Sequence, residues 1–194
     1  MSNKHFLALP VTGETFADVR EKNRYYVDKT PYLKQVFSED EAVDDKSLID
    51  GTTVLLLTRP RRFGKTMLMN MFESFLNINY EKPGDTTIHQ SYFKDTKIFE
   101  EQKFCKKYMG QFPVISITLK DVLGDDFESA YLKLAEVVSA KANEFSFLKE
   151  SPYLNEMEKA KFNLLCDEIY LKKADKQAIS YVTSAIKSLS LMLY

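Results

Sequence analysis

A chain of 194 residues suits one domain with a sizeable core, or a large part of a bigger one. Hydrophobic residues make up 44% and charged residues 28%, an ordinary balance for a water-soluble globular protein. With 27 Lys and Arg against 28 Asp and Glu, bulk charge gives no support for a nucleic-acid coat or a membrane-surface protein.

The first ten residues hold too short an apolar stretch for a signal peptide. Thr15–Asn23 and Lys29–Phe37 can each form a short helix, the second with Tyr32, Leu33, Val36 and Phe37 as its apolar face. Ser38–Gly51 is acidic and reads as a solvated loop. Thr52–Thr58 is short, apolar and bounded by turn-formers, which predicts a strand buried on both faces. Its core, Val54–Leu57, is far too short to span a bilayer. Lys65–Asn77 then reads as a helix, with Leu68, Met71, Phe72, Phe75 and Leu76 at helical spacing. Met67, Met69 and Met71 read as core filling rather than a ligand set.

Asn77–Tyr92, with the turn signal at Pro83–Asp85, reads as a surface loop, and Asp95–Tyr108 as a helix. Pro113–Thr118 predicts a second strand. Asp126 is placed to cap a long helix whose face carries Phe127, Tyr131, Leu134, Val138 and Phe145. Helices near Leu154–Lys172 and Asp175–Leu193 follow, the last with a stripe of Ile179, Val182, Ile186, Leu189 and Leu193. Strands separated by helical segments point to an α/β sheet with covering helices. Cys105 and Cys166 lack CxxC spacing and read as small buried hydrophobes in a reducing, cytoplasmic setting. His5 and His89 are isolated, and no metal-ligand cluster or Ser-His-Asp set can be read from spacing.

The sharpest chemical signal lies between the first predicted strand and the helix after it. Arg59-Pro-Arg-Arg-Phe-Gly-Lys-Thr66 matches the last three positions of G-x-x-x-x-G-K-[ST], with Arg59 in place of the first glycine. Such a loop directs backbone N–H groups at phosphates from a helix N-terminus. Gly64 lets the chain approach without a Cβ clash, Lys65 reaches the β- and γ-phosphates, and the Thr66 hydroxyl ligates Mg²⁺. A Gly-Lys-Ser/Thr tripeptide arises by chance in roughly one chain in ten of this length. A buried strand before it and an amphipathic helix after it lower that by about another tenfold. The candidate nucleotide-binding residues are therefore Arg59, Pro60, Arg61, Arg62, Phe63, Gly64, Lys65, Thr66 and Met67, with ATP and Mg²⁺ as ligands. Arg61 and Arg62 are open between touching phosphate, supporting the loop, contacting a partner and simple solvation.

Thr58–Thr66, Leu9-Pro-Val11 and Tyr25-Tyr-Val-Asp-Lys-Thr30 together resemble the predicted AAA-ATPase-like family. Pro113-Val-Ile115 and Phe127–Leu134 match its strand and long helix, Arg59 is usual for it, and Thr12 departs from a glycine. Its members are often fused to a C-terminal PD-(D/E)XK nuclease-like domain. The resemblance implies a P-loop NTPase-type three-layer sandwich with a mainly parallel sheet. Residues 51–194 would be the ATPase core and 1–50 a segment packed on it. It also implies that Asp28, Lys29 and Thr30 lie near the nucleotide, although Asp28 suits equally the cap of the helix that begins there.

Hydrolysis needs an acidic residue at the end of another buried strand. Phe162–Glu168 superficially has that form, but Leu154, Met157, Phe162, Leu165 and Ile169 fit a helical face, so no catalytic residue is assigned. The family's acidic segment follows the helix that here runs to Tyr194, so the expectation is a domain cut before that (Walker B) strand, binding nucleotide without efficient turnover. The leading expectation is an ATP-binding switch that hydrolyses ATP in a longer protein. A nucleic-acid-associated module using the basic loop and a nucleotide-free scaffold are the alternatives, and no membrane partner is expected.

Overall fold

The computed structural model describes residues 7–37, 56–58, 60 and 62–194. His5, the acidic loop expected at Ser38–Gly51, the first half of the strand expected at Thr52–Thr58, Arg59 and Arg61 lie outside the described residues. The chain divides into two units, Met1–Val114 and Ile115–Tyr194.

In the first unit, α1 (Phe16–Glu21) starts at a capping box. Thr15 Oγ1 accepts from the Asp18 amide at 3.1 Å while the Asp18 carboxylate accepts from the Thr15 amide at 3.0 Å, so two otherwise unpaired donors are satisfied. α2 (Pro31–Val36) opens with a proline, whose fixed φ suits the first helical position. α3 (Lys65–Leu76) presents Leu68, Met71 and Phe75 inward. Three short helices follow: α4 (Thr87–Phe93), α5 (Lys97–Glu100) and α6 (Gln102–Tyr108). Their apolar sides close one core of Phe16, Leu33, Phe75, Phe93, Ile98 and Phe104 around α3. The Phe75 ring meets Phe93 at 5.1 Å and Phe104 at 5.8 Å between centroids. Each such pair stabilises by about 0.5–1.5 kcal/mol beyond the area it buries.

In the second unit, α7 (Phe127–Glu144) begins at a capping box between Asp126 and Ser129. It packs against α8 (Glu156–Cys166), α9 (Glu168–Leu171) and α10 (Lys176–Leu193). Two buried hydroxyls fasten it: Tyr131 donates to the Leu171 carbonyl at 2.9 Å and Ser139 to the Cys166 carbonyl at 2.8 Å. Lys172 joins Glu136 of α7 to Glu168 of α9, at 2.7 and 2.6 Å.

The expected three-layer α/β sandwich with a parallel sheet is not what the structure contains. Among the described residues the fold is helical, 58% helix and 1% strand, with no sheet. Leu56–Thr58 and Pro113–Thr118, both predicted as strands, carry no strand among the described residues. Among the described residues a single parallel bridge pairs Asn77 with Phe112. Ile78 donates to the Phe112 carbonyl at 2.8 Å and Phe112 to the Leu76 carbonyl at 3.0 Å. The next donor in line, the Val114 amide, goes to the Asn77 side chain at 3.1 Å instead of a main-chain carbonyl, and the pairing stops there. An apolar, β-branched run shows that a segment suits a sheet; the neighbouring strand that makes it one has to come from elsewhere.

Smaller differences follow the same division between local and distant causes. Within the loop expected at Asn77–Tyr92 lies α4. The helix expected over Asp95–Tyr108 breaks at Glu101 into α5 and α6, and that over Leu154–Lys172 breaks at Asp167 into α8 and α9. Met157 and Ile169, read as sharing one helical face with the buried Phe162, are 84% and 80% exposed.

Candidate phosphate-binding site

The site forms where Leu57–Thr58 hands over to α3. Gly64 occupies the N-cap position at φ 73°, ψ 32°, left-handed geometry that costs an L-residue about 1–2 kcal/mol. Its carbonyl accepts the first helical bond, from the Leu68 amide at 2.9 Å. The amides of Lys65, Thr66 and Met67 precede any helical acceptor, and glycine supplies no side-chain cap. The first turn of α3 carries no acidic residue. This leaves the positive end of a twelve-residue helix suited to an anion.

Of the residues predicted for the loop, Pro60, Arg62, Lys65 and Thr66 are exposed, Phe63 is exposed at its ring, and Met67 packs half-buried against the core. Arg62 also sits at positive φ, 68°. Its backbone is thus held in a conformation that non-glycine residues enter at a cost of about 1–3 kcal/mol and that often marks functional loops.

Three positions upstream of α2 complete the arrangement. The Asp28 carboxylate accepts from the Thr30 amide at 2.9 Å and from the Lys97 amide, at the start of α5, at 2.8 Å. Thr30 is fully buried, and its hydroxyl accepts from the Ile98 amide at 3.1 Å. Asp28 therefore ties residue 30 to the N-terminus of α5, whereas the N-cap of α2 is Thr30, whose side chain makes no capping bond to that helix. Between these two anchors the Lys29 amide donates to the Tyr26 hydroxyl at 3.2 Å, and the Lys29 ammonium donates to the Phe63 carbonyl at 3.0 Å. Burial pushes the Tyr26 phenol up to about 12, so that hydroxyl keeps its proton.

Lys29, Tyr32, Leu57, Phe63, Gly64, Lys65 and Leu68 line a cavity of about 230 Å³. A Cβ built on Gly64 would lie 2.7 Å from Lys29 Nζ, so this face of the loop admits the ammonium because position 64 is glycine. Among the described residues two cations and no carboxylate line the space, a donor set that fits a phosphate chain. A larger cavity, about 470 Å³, shares no residue with it and is lined by Gln90, Gln102 and Gln111 among others. It is lined by one described lysine, Lys106, against two in the smaller cavity, which is therefore the phosphate candidate.

The other residues singled out in the sequence have structural work. Asp167 is the N-cap of α9, accepting from the Tyr170 amide at 2.9 Å. His89 is buried and its Nε2 lies 2.7 Å from the Asn77 carbonyl. Cys105 is buried, and desolvation raises its thiol to about 11; Cys166 is raised for the same reason. Lys103, Lys106 and Lys107 are exposed. Among the described residues no helix is long and apolar enough to cross a membrane.

The profile of the family described as predicted AAA-ATPase matches residues 10–183, nearly the whole chain and with it every residue of the loop. The chain belongs to the predicted AAA-ATPase family. Comparisons with curated proteins and with solved structures returned no match. Within this member of the family, sequence reasoning located the Gly-Lys-Thr turn. It did not find Tyr32, Leu57 or Leu68 as cavity walls, and Lys29 entered through resemblance alone. The Lys29–Phe63 contact joins residues 34 positions apart, beyond any local periodicity.

Proposed function

We propose that the chain is an ATP-binding module whose phosphate site is the turn at Gly64–Thr66. The reading rests on one observation above the others: the Gly-Lys-Thr glycine is left-handed and opens α3, beside a small cavity lined by Lys29 and Lys65. Gly64 gives the phosphates close access to the backbone, and the amides at the start of α3 donate to their oxygens. Lys65 supplies a positive charge to the β- and γ-phosphates, and Thr66 offers its hydroxyl to Mg²⁺. Bound Mg²⁺ would neutralise phosphate charge and polarise the terminal phosphoryl group.

Nucleotide occupancy acts as a switch. Phosphate contacts order the turn around Gly64, and through Lys29 the turn is already joined to the segment anchored on α5. Hydrolysis would further require an acidic residue that orders the attacking water.

Isothermal titration of Mg·ATP into the wild-type protein and Lys65→Ala tests the proposal. The variant should bind at least about tenfold more weakly, as expected for loss of a charged hydrogen bond. Equal affinity in the two proteins would remove this turn as the nucleotide site.

A further inference from the structure

We infer that Lys29 is a second phosphate-binding cation of the loop, supplied from outside it and held ready by its two neighbours; this rests on the nucleotide reading above. Three observations meet at this side chain. Its ammonium lies against the loop backbone, 3.0 Å from the Phe63 carbonyl. It lines the same cavity as Lys65, where the other described lining residues are neutral. And it occupies the position that any Cβ at residue 64 would contest.

An ammonium has three donors. The Phe63 carbonyl takes one, and among the described residues no carboxylate pairs with Lys29. A carbonyl is a neutral acceptor and leaves the charge uncompensated. Lys65 lines the same small cavity, so a polyanion seated there would meet a cation from each side. The ligand class that fits is a di- or triphosphate chain, whose oxygens outnumber what one lysine reaches.

The backbone on either side explains why this lysine is prepared for the task. Asp28 bonds the Lys97 amide and Thr30 bonds the Ile98 amide, so residues 28 and 30 are both fixed to α5. The Lys29 amide is held in turn by the Tyr26 hydroxyl. Only the side chain has to turn from the Phe63 carbonyl to a phosphate oxygen, which keeps the ordering cost of binding low. The same step transmits occupancy: a ligand that draws the ammonium away from Phe63 changes the link between the loop and the α5 anchor.

The test compares Mg·ATP binding by wild type, Lys29→Gln, Lys29→Arg and Lys65→Ala, at about 50 mM and about 500 mM KCl, a span over which exposed charge interactions are strongly screened. Lys29→Gln should bind about 10–100-fold more weakly at low salt. Lys29→Arg should recover most of that loss, and the gap between wild type and Lys29→Gln should narrow at high salt. A loss that is independent of salt and not recovered by arginine would make Lys29 a structural tether and overturn the inference. Wild-type affinity in Lys29→Gln, with Lys65→Ala impaired, would overturn it while leaving the nucleotide site intact. If wild type and Lys65→Ala both fail to bind, the nucleotide reading itself falls. A measurement on the unmodified chain covers the case in which a variant does not fold. Amine acetylation of wild type, mapped by mass spectrometry, should show Lys29 protected by Mg·ATP and by inorganic tripolyphosphate. Full acetylation of Lys29 under saturating ligand would contradict the proposal.

Discussion

Replacing Gly64 with alanine separates the two reasons the loop needs a glycine. The first is conformational: at φ 73° an alanine costs about 1–2 kcal/mol. The second is space. The new Cβ would lie 2.7 Å from Lys29 Nζ, and because that atom is the end of a flexible chain it moves aside, giving up the bond to the Phe63 carbonyl. For a partly solvated charged donor that loss is about 1 kcal/mol. Together they predict a destabilisation of about 2–3 kcal/mol for Gly64→Ala. In a Lys29→Ala background the spatial part is absent, so the same substitution should cost only the strain, about 1–2 kcal/mol. Urea unfolding followed by near-ultraviolet circular dichroism, on the four proteins of the double-mutant cycle, reads both numbers. Additive effects within about 0.3 kcal/mol would refute contact between the two residues, and no cost in either background would refute the left-handed turn.

Two further substitutions probe the frame around the site. Thr30→Val keeps the shape of a fully buried side chain but strands the Ile98 amide. It should cost about 1–3 kcal/mol in urea unfolding, and a neutral result would mean that amide has another acceptor. Asp18, whose carboxyl is lowered to about 2 chiefly by the Thr15 hydroxyl and next by the Thr15 amide, predicts a pH dependence. A carboxylate with a depressed folded pKa stabilises above its unfolded value near 3.8 and loses that contribution as pH falls through about 2. Wild type should therefore lose stability from about pH 4 to about pH 2 by more than Asp18→Asn does, and parallel profiles for the two would exclude the capping carboxylate as a contributor.

What could be read from the sequence was set by the range of the interactions involved. Thr15, Asp126 and Asp175 cap helices by bonding amides two or three residues onward, so a short window contains the whole cause. The sheet failed as an inference because its cause is not local. Pro113–Thr118 looks like a strand in composition, yet past Asn77 and Phe112 the pairing is intercepted by the Asn77 side chain, which takes the Val114 amide. α4 escaped notice because its only buried residues are His89 and Phe93, too few to establish a period. The face of α10 was misread for another reason. Choosing the bulkiest residues selects Ile179 and Ile186, whereas the buried side carries Ala178, Val182, Ala185, Ser188 and Leu189. One position along a helix is about 100° of rotation, and small residues won the inward side because α7, α8 and α9 crowd it.

The candidate site divides along the same line. The Gly-Lys-Thr turn is legible because a glycine, a cation and a hydroxyl in three consecutive positions at a helix start have few other uses. Lys29 is not, since its position against Gly64 depends on how residues 28 and 30 fasten to α5, nearly seventy residues further along the chain (69 for Asp28 to Lys97). Once that anchoring is known, the glycine acquires a second meaning. It permits the left-handed turn, as the motif alone implies, and it also clears the space through which a lysine from outside the loop reaches the backbone. The two requirements fall on one atom's absence, so the anchor on α5 and the Gly-Lys-Thr turn are joined through Lys29: loosening Asp28 or Thr30 should free the ammonium from Phe63 without touching the Gly-Lys-Thr residues at all.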